Sequence, residues 1–104
     1  MKKARPGIDA QKDVEKAVLY YAGQSLSVSQ LFIEEYKAVV ALLERMPSMG
    51  SFRFAHELDI ADLRAYSLHS FPYLVFYIEH NTFIDIVRIL HSSRDIYNLP
   101  LGLK

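Results

Sequence analysis

Arg88, His91, Arg94 and Asp95 close the most apolar stretch of this chain, FPYLVFYIEHNTFIDIVRILHSSRDI (Phe71–Ile96). Two kinds of chemistry suit such a cluster. Together with Arg64, the set Arg64, Arg88, His91 and Arg94 holds what metal-free phosphodiester cleavage draws on: guanidinium groups to stabilise charge developing on phosphate, and an imidazole as acid or base. The same residues with Asp95 also form a polar, arginine-rich rim around an apolar surface, which suits protein binding. Each residue has a plainer use as well. Arg88 can pair with a carboxylate or run its stem past a helix. His91 can cap a strand end, and Arg94 and Asp95 can pair locally or sit in a final turn over SSRDIYNL, with Ser92 or Ser93 as its N-cap.

The surroundings weigh against cleavage. Strand alternation places Asp85, Val87, Ile89 and His91 on one face and Ile84, Ile86, Arg88 and Leu90 on the other, so Arg88 and His91 start on opposite sides. Between Lys37 and Lys104 there is no lysine. His56, His69, His80 and His91 are dispersed without metal-ligand spacing, and no phosphate-cradling glycine loop or nucleophile elbow occurs, so no metal or cofactor is expected. Twelve basic and twelve acidic residues give a formal net charge of zero, so no global field draws the chain onto nucleic acid. There is no cysteine. The basic start is not followed by an apolar signal region, and the longest apolar run, Tyr73 to Ile78, is too short to span a bilayer. The expectation is a cytoplasmic protein whose 104 residues, 51% of them hydrophobic, form a single domain over 1–104.

The elements that must position these residues fall into two halves. Val14, Ala17, Val18 and Tyr21 recur at helical spacing over 9–22, with Asp9 as N-cap, Asp13 favourable to the helix dipole and Gly23 as a left-handed C-terminal residue. A second helix begins at LSVSQL, where Ser27 and Gln30 match a capping box and Leu26 and Leu31 a hydrophobic staple. Pro47 stops it. Three strands follow: 63–68, then YLVFYIE at 73–79 as the central one, then FIDIVRIL at 83–90. Glu57, Asp59 and Asp62 read as a solvated loop before them. Helices first and antiparallel strands after give an α+β fold, a helical hairpin packed on a three- to four-stranded antiparallel sheet. Tyr73, Val75, Phe76 and Ile78 belong to the central strand, with Phe32, Val39 and Leu43 packing on the sheet.

Over residues 9–97 the order and spacing of several pieces resemble the ParE-type toxins of the RelE/ParE toxin–antitoxin superfamily. These pieces are the paired helices of DVEKAVLYYAGQSLSVSQLFIEEY, Pro47 and Gly50 after them, Glu57-Leu58, Leu63-Arg64, FPYLVFY, and the closing Ile86, Arg88, Leu90-His91 and Arg94-Asp95. The resemblance implies an N-terminal strand ahead of the two helices and the three-stranded sheet; here MKKARPG is short, basic and broken by Pro6-Gly7, so that strand is expected as a stub or missing. It further implies a toxin neutralised by a ParD-like antitoxin protein and directed at DNA gyrase. The superfamily's RelE branch instead cleaves mRNA on the ribosome, and its basic sheet residues are largely missing here. The partner-facing set is then Arg64, Arg88, His91, Arg94 and Asp95, with Arg64, Arg88, His91 and Arg94 as the catalytic set under the ribonuclease alternative.

Overall fold

A computed structural model describes residues 1–95; part of the final turn expected over 92–99 lies outside them. The described chain runs β1 (Lys3–Pro6), α1 (Ile8–Ala22), α2 (Leu26–Arg45), a 3-10 turn (Pro47–Met49), α3 (Arg53–Glu57), β2 (Leu63–Ser67), β3 (Tyr73–Glu79) and β4 (Phe83–His91). The four strands form one sheet in the order β1-β4-β3-β2. The pairs β2–β3 and β3–β4 are antiparallel, as expected. The N-terminal strand does form, and it pairs parallel to β4 with Lys3 opposite Phe83 and Pro6 opposite Ile86, so the sheet is mixed. Pro6 is tolerated because β1 is an edge strand at its last residue. Gly7 completes the ladder by donating to the Ile86 carbonyl at 3.0 Å and then caps α1.

The helix ends differ from the sequence expectation. α1 starts one residue before Asp9, which sits in its first turn. Gly23 at its end has φ −64°, a right-handed value that needs no glycine. The link to α2 is only Gly23–Ser25, and both Gln24 N–H and Ser25 N–H donate back to the Tyr21 carbonyl. That short link forces α2 to open at Leu26, so Ser25 is the N-cap and its hydroxyl accepts from Val28 N–H at 3.4 Å. The Ser27–Gln30 box is not formed, and Leu26 and Leu31 are 71% and 57% exposed instead of stapled.

Both faces of the sheet are buried. Tyr73, Val75, Tyr77, Ile84, Ile86 and Ile89 face the hairpin and meet Ala10, Ala17, Tyr21, Phe32, Val39 and Leu43. Aromatic rings knit this layer: Tyr21 lies 4.9 Å from Phe71 and Phe32 lies 5.3 Å from Tyr73, both edge-on. Edge-to-face pairs place a positive ring edge against a negative face, adding to area burial. The opposite face, with Phe76, Ala65, Leu63, Val87 and Leu90, is covered by Phe54 of α3 and by Ile60. The stretch read as a solvated acidic loop therefore includes a helical lid. Asp59 and Asp62 turn the chain beneath it with φ of 56° and 63°, left-handed values that aspartate tolerates better than most residues.

A register shift in β4 explains why simple alternation fails there. Phe76 pairs with Arg88 but Tyr77 pairs with Ile86, leaving Val87 as an extra residue. A bulge of this kind changes the phase of every side chain beyond it. Ile86 and Ile89, three apart, thus share the hairpin face, while Val87 and Leu90 take the other.

A close contact fixes the turn after α2. The buried Tyr77 hydroxyl donates to the Pro47 carbonyl at 2.6 Å and accepts from Gly50 N–H at 2.8 Å. A Cβ on Gly50 would lie 2.7 Å from Tyr77 Cε1 and 2.9 Å from Cζ. Glycine is required at this position for close approach, since its φ of −73° is ordinary.

Candidate protein-binding site

The positions Ala10, Asp13, Ala17 and Tyr21 form one stripe of α1, and all but Asp13 belong to the hairpin-face core. A carboxylate in such a stripe needs a partner. Asp13 has three. Arg88 Nε donates to it at 2.7 Å, Arg88 Nη2 at 2.9 Å, and Ile89 N–H at 3.0 Å. The pair is largely enclosed, with 13% of the Asp13 and 17% of the Arg88 side chain exposed. These hydrogen bonds to Asp13 raise the Arg88 pKa further above its already high ordinary value, against the opposing effect of burial. Arg88 is a fixed cation.

β1 ends at Pro6, opposite Ile86, so among the described residues the outer edge of β4 beyond that point has no strand beside it. Asp13 closes it at Ile89, and Asp95 closes it two residues on by accepting from His91 N–H at 3.0 Å. Between α1 and this edge lies a depression of about 140 Å³ lined by Asp13, Lys16, Tyr20, Tyr73, Arg88 and Arg94, with Asp95 at its rim. Arg94 reaches the Tyr73 hydroxyl at 3.4 Å and stands 5.9 Å over the Tyr20 ring. Burial raises the Tyr73 pKa, opposed by Arg94, whose Nη2 donates to the phenol oxygen.

The bulge at Val87 and the strand end bring four of the five singled-out residues together. Arg88, Arg94 and Asp95 line the depression, and His91 borders it with its ring 5.4 Å from that of Tyr73. His91 Nδ1 accepts from Ser93 N–H at 3.2 Å and Arg94 N–H at 3.3 Å, so it caps the turn that carries Arg94. Arg64 is elsewhere. It lies on β2, two strands from β4, where Nη1 donates to the Gly50 carbonyl at 2.9 Å and the Ser48 carbonyl at 3.2 Å, and the guanidinium stacks 4.0 Å over Phe52. Lys16, Tyr20, Tyr73 and Asp13 are members that the sequence reading did not assign to the site. Asp13 carried a usable signal, an acid inside an apolar helical stripe.

The other edges of the sheet are also occupied. Glu44 of α2 accepts from Ala4 N–H at 2.8 Å on the outside of β1, and its carbonyl accepts from Lys2 N–H. Ser51 exchanges both backbone bonds with Ala65, at 2.9 Å each, on the outside of β2. Glu35 of α2 accepts from His69 N–H, and from Ser70 N–H at 2.9 Å, in the β2–β3 turn. Beside Glu35, an open groove runs along α2, with hollows of about 470 and 390 Å³ lined by Leu31, Ala38, Leu42, Tyr66 and Phe71. Among the described residues no group of three or more histidines, cysteines or acids is placed to hold a metal, and no helix is long and apolar enough to cross a membrane.

Comparison with known proteins places this arrangement. Residues 9–96 match the family model described as ParE toxin of the type II toxin–antitoxin system, parDE. No curated protein sequence matches. Among solved structures, a chain of the chromosomal ParDE TA system from P. aeruginosa superposes with a TM-score of 0.75 at 16% identity, covering 89% of this chain and 98% of that one. At that identity the likeness is one of fold.

Proposed function

The chain belongs to the ParE toxin family of type II toxin–antitoxin systems, and from that premise we propose that it acts in the cytoplasm by binding and poisoning DNA gyrase and is held inactive by a ParD-like antitoxin. The observation that carries the binding reading is how the cations are held. Arg64 and Arg88 sit two strands apart, each with internal acceptors. Cleavage of mRNA would need Arg64, Arg88, His91 and Arg94 converging on one phosphate. Arg64 is held apart from the cluster of Arg88, His91 and Arg94, so the four do not converge, and the cluster frames a surface on which guanidinium groups and aromatic rings meet another protein.

The closed edges also bear on how the antitoxin docks. Strand addition requires a free row of N–H and C=O groups. Glu44, Asp13, Asp95 and Ser51 occupy such groups on the outer strands. The open groove along α2 fits an amphipathic helix instead, with Leu31, Leu42, Tyr66 and Phe71 meeting its apolar face, and Arg94 and Lys16 pairing with acids of a flanking segment.

The test is supercoiling by purified gyrase with the purified chain added. Inhibition with trapped cleavage complex is expected, and addition of the product of the neighbouring reading frame should relieve it. Ribosome-dependent mRNA cleavage that disappears in His91→Ala, with gyrase unaffected, would establish the ribonuclease alternative.

A further inference from the structure

The segment Arg45–His56 has no acidic residue and carries Met46, Met49, Phe52, Arg45 and Arg53. Met46, Met49 and Phe52 are 50%, 44% and 49% exposed. The backbone that carries them is held by named contacts. Met49 N–H donates to the Met46 carbonyl, closing the 3-10 turn. Arg64 bonds the Ser48 and Gly50 carbonyls and stacks on Phe52, while Arg53 stands 4.8 Å over the ring of Phe54. The Tyr77 hydroxyl holds the whole turn rigid through Pro47 and Gly50. The result is a preordered turn that carries two exposed thioethers, one exposed aromatic ring and the guanidinium groups of Arg53 and Arg64. Asp59 and Asp62 border it, lining a hollow together with Phe52, Ala55 and Ile60.

Methionine, phenylalanine and arginine are the side chains enriched at protein interfaces, and a thioether adapts to irregular apolar surfaces. The charge differs from that of the α2 groove, which is edged by Glu34 and Glu35. A segment complementary to one surface is mismatched to the other, since like charges across an interface oppose binding. We infer that the Met46–Arg53 turn with Arg64 is a second interface, taking an acidic, amphipathic segment of the toxin's target protein while the groove along α2 takes the antitoxin. This rests on the toxin reading above.

The experiment compares the full-length wild-type chain with Arg53→Glu, Met49→Gln and Arg53→Lys. Each is checked for an unchanged thermal midpoint and assayed for gyrase inhibition, growth arrest on expression and affinity for the antitoxin. Arg53→Glu and Met49→Gln should each raise the concentration for half-inhibition at least about tenfold, the scale of an interface anchor. Arg53→Lys, which keeps the charge but loses the planar stack, should fall between wild type and Arg53→Glu, and antitoxin affinity should hold within about twofold in all three. Unchanged inhibition and growth arrest in both loss variants overturns the inference. So does a parallel loss of antitoxin affinity, which would assign the patch to the antitoxin. If the wild type leaves gyrase untouched yet arrests growth, the gyrase assignment fails alone and growth arrest carries the same comparison. A wild type that does neither ends both readings.

Discussion

Removing the Asp13 carboxylate should be among the most damaging single changes near the depression. In Asp13→Ala the Arg88 guanidinium keeps its charge, because its pKa lies far above neutrality and was raised by this partner. It would then sit 17% exposed without the acid that accepts two of its N–H groups. The same change removes the acceptor of Ile89 N–H, which among the described residues has no strand on that side. Leaving one partner of an enclosed ion pair uncompensated costs roughly 3–5 kcal/mol, and an unsatisfied backbone donor about 1–3 kcal/mol. Residual exposure of the pair lets water recover part of this, so a net loss of about 3 kcal/mol is expected. For a domain of this size that corresponds to a fall in Tm of roughly 12–20 °C.

The decisive measurement is a double-mutant cycle by thermal and urea unfolding with Asp13→Ala, Arg88→Met and both together. Arg88→Met should cost less than Asp13→Ala, because the surviving carboxylate still accepts from Ile89 N–H and borders the depression. The double variant should be no worse than Asp13→Ala, with a coupling of about 1–3 kcal/mol. Additive losses, or an Asp13→Ala chain within about 0.5 kcal/mol of wild type, would show that the pair is solvated and that the β4 edge needs no carboxylate.

Phe76→Ala should lose roughly 3–5 kcal/mol, because its ring is buried and meets Phe54 at 5.4 Å edge-on; urea unfolding measures it, and a loss under about 1 kcal/mol would mean that α3 is not a lid. Gly50→Ala should cost about 1–3 kcal/mol by forcing a buried tyrosine aside. Tyr77→Phe should cost about 1–3 kcal/mol by orphaning Gly50 N–H and the Pro47 carbonyl, and the two changes together should cost less than their sum. Burial alone would raise the Glu35 pKa, but N–H groups of Ser70 and His69 outweigh it and hold the carboxyl below the ordinary glutamate value. Its stabilising contribution is therefore complete above that ordinary value and lost as pH falls through the depressed one. The Tm gap between wild type and Glu35→Gln should be widest near pH 7 and narrow as pH falls through the depressed glutamate value, whereas a gap independent of pH would mean that the carboxylate charge is not what ties α2 to the β2–β3 turn.

The layers of this fold were legible where one periodicity ran without interruption. The hairpin followed from two apolar stripes and Pro47, and β3 from its aromatic and β-branched run, with Phe32, Val39 and Leu43 packing where expected. The last strand was legible as a strand but not in its facing, because one extra residue at Val87 inverts the alternation and nothing in FIDIVRIL marks it. The start of α2 was misplaced because two serines two residues apart both fit a cap, and only the length of the Gly23–Ser25 link decides between them. α3 is five residues long, too short for helical periodicity to show, and its acids disguised a lid as a loop. Within the site, charge clusters near one another in sequence were visible, whereas Asp13, 75 residues from Arg88, was not. Its pairing is a tertiary fact, and only its place within an apolar stripe hinted at it.

Asp13, Glu35 and Glu44 place the same physics at three points. Each is a helix carboxylate that accepts backbone N–H groups of the sheet or its turns: Ile89 from α1, then His69 and Ser70, and Ala4, from α2. An apolar sheet on a chain with no net charge has little else to prevent pairing with other strands. Here the hairpin both buries one face and seals the β1 and β4 edges, so a partner that pairs there must first displace a carboxylate from its donors and leave that charge unpaired, while Ser51 covers the β2 edge. That cost falls on edge addition and spares docking on helix surfaces. The same device therefore guards against edge pairing, and under the proposed function it leaves the groove along α2 and the guanidinium-rich turns as the surfaces for docking.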